Sequence, residues 1–297
     1  MLFRSVTLAA GKSLTVTNSG VWTIGAVTIT APGGVTQDGA GGVTISGALT
    51  LATTNSAISF ATAIDGAYDL TVAAGTGAVG FTGVGTTTAL GDVDITSGTV
   101  TFGGDVTLAA AKSLTVTNSG VWTIPASTIT APAGITQNGA GTVAVTGDAI
   151  LATTNSLVSF LRAVDGPGGI TVTAGTAAVT FAGIGGTTAA GNIDITGSTL
   201  TFGGDVTLAA DKSLTVTNSG LWTVPASTIT APAGITQDGA GLTEMTGAAT
   251  FATTDSAVSF ATALNGEYDL TVTAGTGAVS FTTIGASTPV GNVAITS

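Results

Sequence analysis

The chain has 297 residues, of which only 7% are charged, whereas about 25% are charged in typical globular proteins. Lys and Arg total 5 against 16 Asp and Glu, and the resulting net charge of −11 argues against a nucleic-acid partner and against anionic membrane surfaces. The chain has neither Cys nor His, which excludes disulfides, thiolate nucleophiles, Cys-type zinc sites and the commonest general base. It also lacks a run of 18 apolar residues, so we expect no membrane insertion by a helix.

The sequence consists of three nearly identical copies, which cover 1–100, 101–200 and 201–297. The segment KSLTVTNSG that begins at Lys12 returns letter for letter at Lys112 and Lys212. Such self-similarity at a fixed period is typical of arrays in which identical units stack on identical units. It favours a structural or binding role over a single catalytic pocket.

Short segments alternate between apolar residues and Thr or Ser throughout each copy, which predicts half-buried β-strands. Turn residues such as Asn118-Ser119-Gly120 separate them. In the middle copy the predicted strands are Asp105–Leu108, Leu114–Thr117, Val121–Ile124, Thr128–Thr130, Val143–Thr146, Leu157–Phe160, Ile170–Thr173, Val179–Phe181, Ile193–Thr196 and Leu200–Phe202.

This alternation of strand and turn predicts an all-β fold, namely a right-handed parallel β-helix (a β-solenoid). Coils of about 25 or about 20 residues both divide a copy evenly, so about 12 to 15 coils would stack about 4.8 Å apart. We expect residues 1–297 to form one continuous solenoid.

Three tandem immunoglobulin-like β-sandwiches are the alternative fold, because they would also repeat about every 100 residues with one core Trp each. The predicted strands are too short and too numerous for that fold. In addition, Ile195–Phe202 crosses the boundary between two copies as strand, without a linker.

Neither end of the chain shows a polar capping pattern, although solenoids need caps to cover their terminal strand edges. We therefore expect either a piece of a longer array or a subunit that assembles with itself. Such self-assembly would run head to tail or side by side.

The segment Ala67–Val79 (AYDLTVAAGTGAV) and its copy Glu267–Val279 resemble the repeats of giant bacterial surface proteins. These are the filamentous-haemagglutinin-like and autotransporter-like β-strand-repeat adhesins. The resemblance covers the whole chain and is of a low-complexity kind. It implies a right-handed parallel β-helix, a location at the bacterial cell surface, and a role as a stalk, adhesin or matrix component. It implies no catalytic residue.

Two sets of residues are candidates for ligand contact. Trp22, Trp122 and Trp222 share the side of Ile24 and its copies, which favours the core; the alternative is a surface row that stacks on sugars. Asp92 and Asp94 flank Val93 on one strand face, where paired carboxylates serve acid–base chemistry or Ca²⁺ binding in other proteins. A solvated strand face is the simpler interpretation of these two residues.

Two short motifs favour turns over ligand sites. Gly75–Gly80 matches the dinucleotide fingerprint G-x-G-x-x-G, but strand residues follow it where the fingerprint requires a helix. Gln37–Gly41 has turn residues that could hold Ca²⁺, yet it lacks the nonapeptide of calcium-loaded β-rolls. The sequence therefore predicts no cofactor, with Ca²⁺ as the one exception considered.

These observations predict a non-enzymatic structural protein of the bacterial cell surface or extracellular matrix, which forms a rod or fibre as a stalk or adhesin. Its expected partner is a second copy of itself, with glycans as a further partner. The competing prediction is a carbohydrate-binding or polysaccharide-degrading β-helix that uses Asp92 and Asp94 or the Trp row. An enzyme should have one copy that departs from the others to make a site, and the sequence shows no such departure.

Overall fold

The parallel β-solenoid is the fold of this chain. A computed structural model describes residues 5–297, which form short parallel strands in about 14 turns, with no helix. The prediction of a parallel β-helix is thus confirmed, and the sandwich alternative is wrong because its sheets would be antiparallel. Within the described range, no helix has the length and apolarity required to cross a membrane.

The chain divides into two compact units. The first comprises the residues up to Ala144 together with Ala152–Thr154, and the second comprises Val145–Leu151 and Asn155–Ser297. This division does not follow the boundaries of the sequence copies. Whether residues 1–297 act as one continuous domain stays a prediction.

The strands β1 to β18 belong to the first unit. They are β1 (Val6–Thr7), β2 (Ser13–Val16), β3 (Trp22–Ile24), β4 (Val27–Thr30), β5 (Gly34–Gln37), β6 (Val43–Ile45), β7 (Leu49–Ala52), β8 (Ile58–Phe60), β9 (Ile64–Asp65), β10 (Leu70–Ala73), β11 (Val79–Phe81), β12 (Val93–Ser97), β13 (Val100–Phe102), β14 (Val106–Thr107), β15 (Ser113–Asn118), β16 (Trp122–Ile124), β17 (Ser127–Thr130) and β18 (Gly134–Gln137).

The strands β19 (Val143–Val145) and β20 (Ala149–Ala152) contain residues of both units, and the later strands belong to the second unit. These are β21 (Val158–Phe160), β22 (Val164–Asp165), β23 (Ile170–Thr173), β24 (Val179–Phe181), β25 (Ile193–Gly197), β26 (Leu200–Phe202), β27 (Val206–Thr207), β28 (Leu214–Asn218), β29 (Trp222–Val224), β30 (Ser227–Thr230), β31 (Ile235–Gln237), β32 (Thr243–Met245), β33 (Ala249–Ala252), β34 (Val258–Asn265), β35 (Leu270–Thr273), β36 (Val279–Ile284) and β37 (Val293–Thr296).

In the first unit the strands stack in three columns, so each turn of the solenoid has three sides. The first column runs β1, β4, β7, β10, β12, β15 and β18. The second runs β2, β5, β8, β11, β13 and β16. The third runs β3, β6 and β9, then a single bridging residue, Val84, and then β14 and β17.

The second unit is built in the same way. One column contains β21, β24, β26, β29, β32 and part of β34. Another contains β23, β25, β28, β31, the other part of β34, and β36. The third contains β27, β30, β33, β35 and β37. β34 contributes to two columns because it continues around a corner.

One turn contains between 20 and 23 residues. The largest step is from Val6 to its partner Ile29, and the smallest is from Ile64 to Val84. The two expected coil lengths, about 20 and about 25 residues, assumed that a copy contains a whole number of turns, and that assumption is wrong. Three copies share about 14 turns, so one copy contributes 14/3, or about 4.7, turns.

A copy contains instead a whole number of sides. Between Val6 and Val106 the chain passes through 14 sides, namely β1 to β13 and the bridge at Val84. Because 14 is not a multiple of three, equivalent residues of successive copies fall in different columns. In the first unit, for example, β2 lies in the second column, whereas its copy β15 lies in the first.

The core contains the apolar residues of every alternating strand, while Thr and Ser point outward. Val93 and Ile95 of β12 are buried, for example, whereas Asp94 and Thr96 between and after them are exposed. The Phe residues form internal stacks, as predicted. Their ring centroids lie 5.4 and 6.2 Å apart along Phe60, Phe81 and Phe102, and 5.2 and 6.3 Å apart along Phe160, Phe181 and Phe202.

Candidate functional site

The three Trp side chains lie in the core. Trp22 is 4% exposed, and Trp122 and Trp222 are 0% exposed. Moreover, Trp22 in β3 and Trp122 in β16 belong to different columns of the first unit. A surface row of indoles that could stack on sugars is therefore absent. The burial follows from the strand alternation, because each Trp shares a side with the buried Ile or Val two residues later.

Asp92 and Asp94 have different environments. Asp94 lies within β12 and is exposed, whereas Asp92 immediately precedes that strand and bonds to the next turn. One carboxylate oxygen of Asp92 accepts a hydrogen bond from the Ser113 N–H at 2.8 Å, and the other lies 2.9 Å from Lys112 Nζ. The predicted carboxylate pair is thus replaced by a contact between turns that the sequence analysis missed.

Lys112 bridges two carboxylates from the two preceding turns. Its Nζ lies 2.9 Å from Asp92 Oδ2 and 2.9 Å from Asp69 Oδ1. Burial by itself raises the pKa of Asp92, but hydrogen bonds from Lys112 and from Ser113 outweigh it and hold that pKa below its ordinary value. The pKa of Lys112 is raised, first by the hydrogen bond to Asp92 and then by the one to Asp69. We call these three residues the Lys112 cluster.

The Lys112 cluster occurs in one copy, because the second copy has Gly169 and Asn192 at the positions of Asp69 and Asp92. Asn192 Oδ1 still accepts the Ser213 N–H at 3.0 Å. The bond to the backbone is therefore maintained without a charge. This comparison indicates that the residue at this position joins one turn to the next, and that the ion pair adds to that bond.

Replacing Asp92 with Asn is expected to change stability by less than about 1 kcal/mol at neutral pH, because the lost ion pair is exposed to solvent. The pKa of Asp92 is lower in the folded protein than in the unfolded chain. Its contribution is therefore present above the unfolded-state pKa and is lost as the pH falls through the folded-state value. Hydrogen exchange of the Ser113 amide at neutral and acidic pH measures this.

The parent should lose protection of the Ser113 amide at acidic pH, and Asp92→Asn should lose less. The Ser213 amide, which already faces Asn192, is the internal control. Equal loss of protection at Ser113 in both proteins would contradict this account.

The same bond between turns recurs along the whole described chain. Among residues 5–297, nine aspartates accept a backbone N–H from the following turn, 21 to 23 residues later. They are Asp65, Asp69, Asp92, Asp105, Asp148, Asp165, Asp205, Asp255 and Asp269. Most of the chain's 16 acidic residues are thus engaged in holding turns together.

The segment considered for Ca²⁺ joins turns in the same way. Gln37 is buried, and its Nε2 donates to Asn18 Oδ1 at 2.7 Å and to the Gly39 carbonyl at 2.6 Å. Asp38 accepts the Thr17 hydroxyl at 2.6 Å. A Cβ at Gly39 would collide with the Asn18 backbone, which explains the Gly at this position. The described residues contain no group of three or more carboxylates suited to a metal ion.

The G-x-G-x-x-G match forms a turn between strands. Gly75 has a φ of +61°, a left-handed conformation that favours Gly, and β11 follows at Val79. No helix N-terminus is present there to bind a pyrophosphate. The prediction of a turn is confirmed.

The first and last described turns expose positions that are buried elsewhere. Val293 and Ile295 of β37 are 44% and 45% exposed, although their partners Leu270 and Val272 are fully buried. At the other end, an open apolar pocket of about 510 Å³ is lined by Leu14–Asn18, Val21 and Trp22. These two surfaces are the largest departures from the otherwise polar exterior that the structure describes.

The chain thus presents strand edges and apolar surface at its end turns, and hydrogen-bonded polar residues along its sides. Comparison with protein-family models, with curated proteins and with solved structures finds no match.

Proposed function

We propose that this chain is a non-enzymatic structural repeat protein of the bacterial cell surface or extracellular matrix. In this role it forms a fibre, as the segment of a stalk or adhesin, by assembly with itself. The observation that carries the proposal is the use of the polar residues. Nine aspartates join one turn to the next, and the buried Gln side chains do so as well.

The surface composition supports the same function. Only 7% of residues are charged, and Thr and Ser occupy most outward strand positions. A surface with few charges permits close lateral approach of copies, because few ions must be desolvated. The resemblance of Ala67–Val79 and its copy to the repeats of filamentous bacterial adhesins supports a location outside the cell.

A carbohydrate-active function has less support. It relied on the Trp row and on the pair of Asp92 and Asp94. The Trp side chains are buried, and Asp92 is bonded to Ser113 and Lys112. Asp94 alone remains exposed on its strand, without a second carboxylate in a described cleft.

Electron microscopy and fibre diffraction of the purified chain test the proposal. We expect filaments at micromolar concentration with an axial repeat of about 4.8 Å, which is the spacing of stacked parallel strands. Compact monomers at every concentration would refute self-assembly. Cleavage in a polysaccharide screen would refute the non-enzymatic role, and saturable binding in a glycan array would favour the carbohydrate-binding alternative.

A further inference from the structure

The chain contains two internal examples of the contact that would cover its last turn. Strand β12 is covered by β15, with Val93 opposite Leu114 and Ile95 opposite Val116. In the second unit, β25 is covered by β28 with the same register. The next strand of this series is β37, which is the copy of β12 and β25 and whose apolar residues are exposed.

The sequence that would fit on β37 is present at the start of the chain. The segment SLTVTN covers the earlier members of the series, as Ser113–Asn118 and Ser213–Asn218, and the same six letters occupy Ser13–Asn18. Leu14 and Val16 are partly exposed in β2, whereas their copies Leu114 and Val116 are fully buried. The first turn therefore has the residues, and the exposed apolar side chains, of the strand that covers β12 and β25.

We propose that β2 of a second copy of this chain stacks on β37 in parallel. The register places Val293 opposite Leu14, Ala294 opposite Thr15 and Ile295 opposite Val16 of the next subunit. This rests on the proposed function, and it specifies which surfaces join and how. Each copy spans 14 sides, so three copies span 42 sides, or 14 three-sided turns, in agreement with the turns observed. Successive subunits therefore stack without rotation relative to one another.

Charge is matched at the same contact. In the first copy, Lys112 Nζ lies 2.9 Å from Asp69 Oδ1 and 2.9 Å from Asp92 Oδ2. The equivalent residues at the proposed contact are Lys12 of the next subunit and Asp269, both exposed, with Asn292 in place of the second carboxylate. One ion pair thus forms between subunits.

Disulfide cross-linking tests the register. The chain has no Cys, so Thr15→Cys with Ala294→Cys supplies the only two thiols, both at outward positions. Paired residues of adjacent parallel strands are about 4.8 Å apart at Cα, within the range that a disulfide spans. In the matched control, Thr17→Cys with Ala294→Cys, the Cα atoms would be about 8 Å apart, outside that range.

We expect mild oxidation to give a ladder of covalent oligomers with the first pair and at least about tenfold less with the control. Equal cross-linking by both pairs, or filaments by microscopy without cross-links in either, would overturn the register while leaving the proposed function intact. Monomers by microscopy and no cross-links would refute both.

Charge reversal supplies an independent measurement. Lys12→Glu should weaken filament formation by up to about fivefold, and adding Asp269→Lys should restore it. Lys212→Glu is the matched control, since Gly169 and Asn192 occupy the positions that would face it. No rescue by the double variant would refute the pairing of Lys12 with Asp269.

Discussion

Replacing Phe181 with Ala is expected to lower the free energy of unfolding by about 3–5 kcal/mol. Phe181 is fully buried in β24, and its ring centroid lies 5.2 Å from that of Phe160 and 6.3 Å from that of Phe202. The substitution removes both ring contacts and leaves a cavity in the stack. Because backbone hydrogen bonds fix the spacing of the turns at about 4.8 Å, the neighbours cannot move together to fill it.

Urea denaturation followed by circular dichroism measures this loss. The control is Thr180→Ala at the preceding, outward position of β24, which should change stability by less than about 0.5 kcal/mol. If the two variants were equally stable, the Phe stack would not be a major source of stability.

Replacing Gln237 with Leu is expected to lower the free energy of unfolding by about 2–4 kcal/mol, although the volumes are similar. Gln237 is completely buried, and its Nε2 donates to Asn218 Oδ1 at 2.7 Å and to the Gly239 carbonyl at 2.8 Å. Its Oε1 accepts the Thr262 N–H at 3.3 Å and the Thr262 hydroxyl at 3.2 Å. Leu would leave these partners buried without their bonds to Gln237.

The outward neighbour supplies the control, since Thr236→Val keeps the shape of β31 and removes no bond of this network. Hydrogen exchange of the Thr262 amide should increase in Gln237→Leu and stay unchanged in Thr236→Val. A Gln237→Leu protein as stable as the parent would show that hydrophobic burial alone holds these corners together.

Much of the fold could be predicted from the sequence because the signal has a period of two. In β12, the alternation of Val93 and Ile95 with Asp94 and Thr96 gives the buried and exposed faces directly. The same argument placed the Trp residues in the core, and the structure agrees. Local alternation is enough for these predictions because a strand's two faces are set by covalent geometry.

The length of the turn could not be predicted in this way. It depends on which residues lie opposite each other, such as Leu70 opposite Val93, and that pairing spans 23 residues without a local signal. The assumption that 100 residues contain whole turns excluded the correct value. For the same reason the role of Asp69 was missed, because its bond to the N–H of Asp92 is visible only once the turns are aligned.

Departures between copies carry information that an average over copies would hide. Thr243 replaces the Val found at positions 43 and 143, and its hydroxyl is buried without a hydrogen bond. Arg162 stands where the other copies have Thr62 and Thr262, which bond to the carbonyls of Gly41 and Gly241. Such positions show where sequence drift is tolerated even at buried or hydrogen-bonded sites.

The whole number of sides in each copy has a consequence for the evolution of the gene. Unequal recombination between copies adds or deletes 14 sides at a time, so every strand still meets a partner of the correct sequence after the event. The length of the array can then vary between lineages at little cost in folding. Each such event also shifts the downstream residues to a different side, so selection acts on all three sides of the solenoid through the same codons.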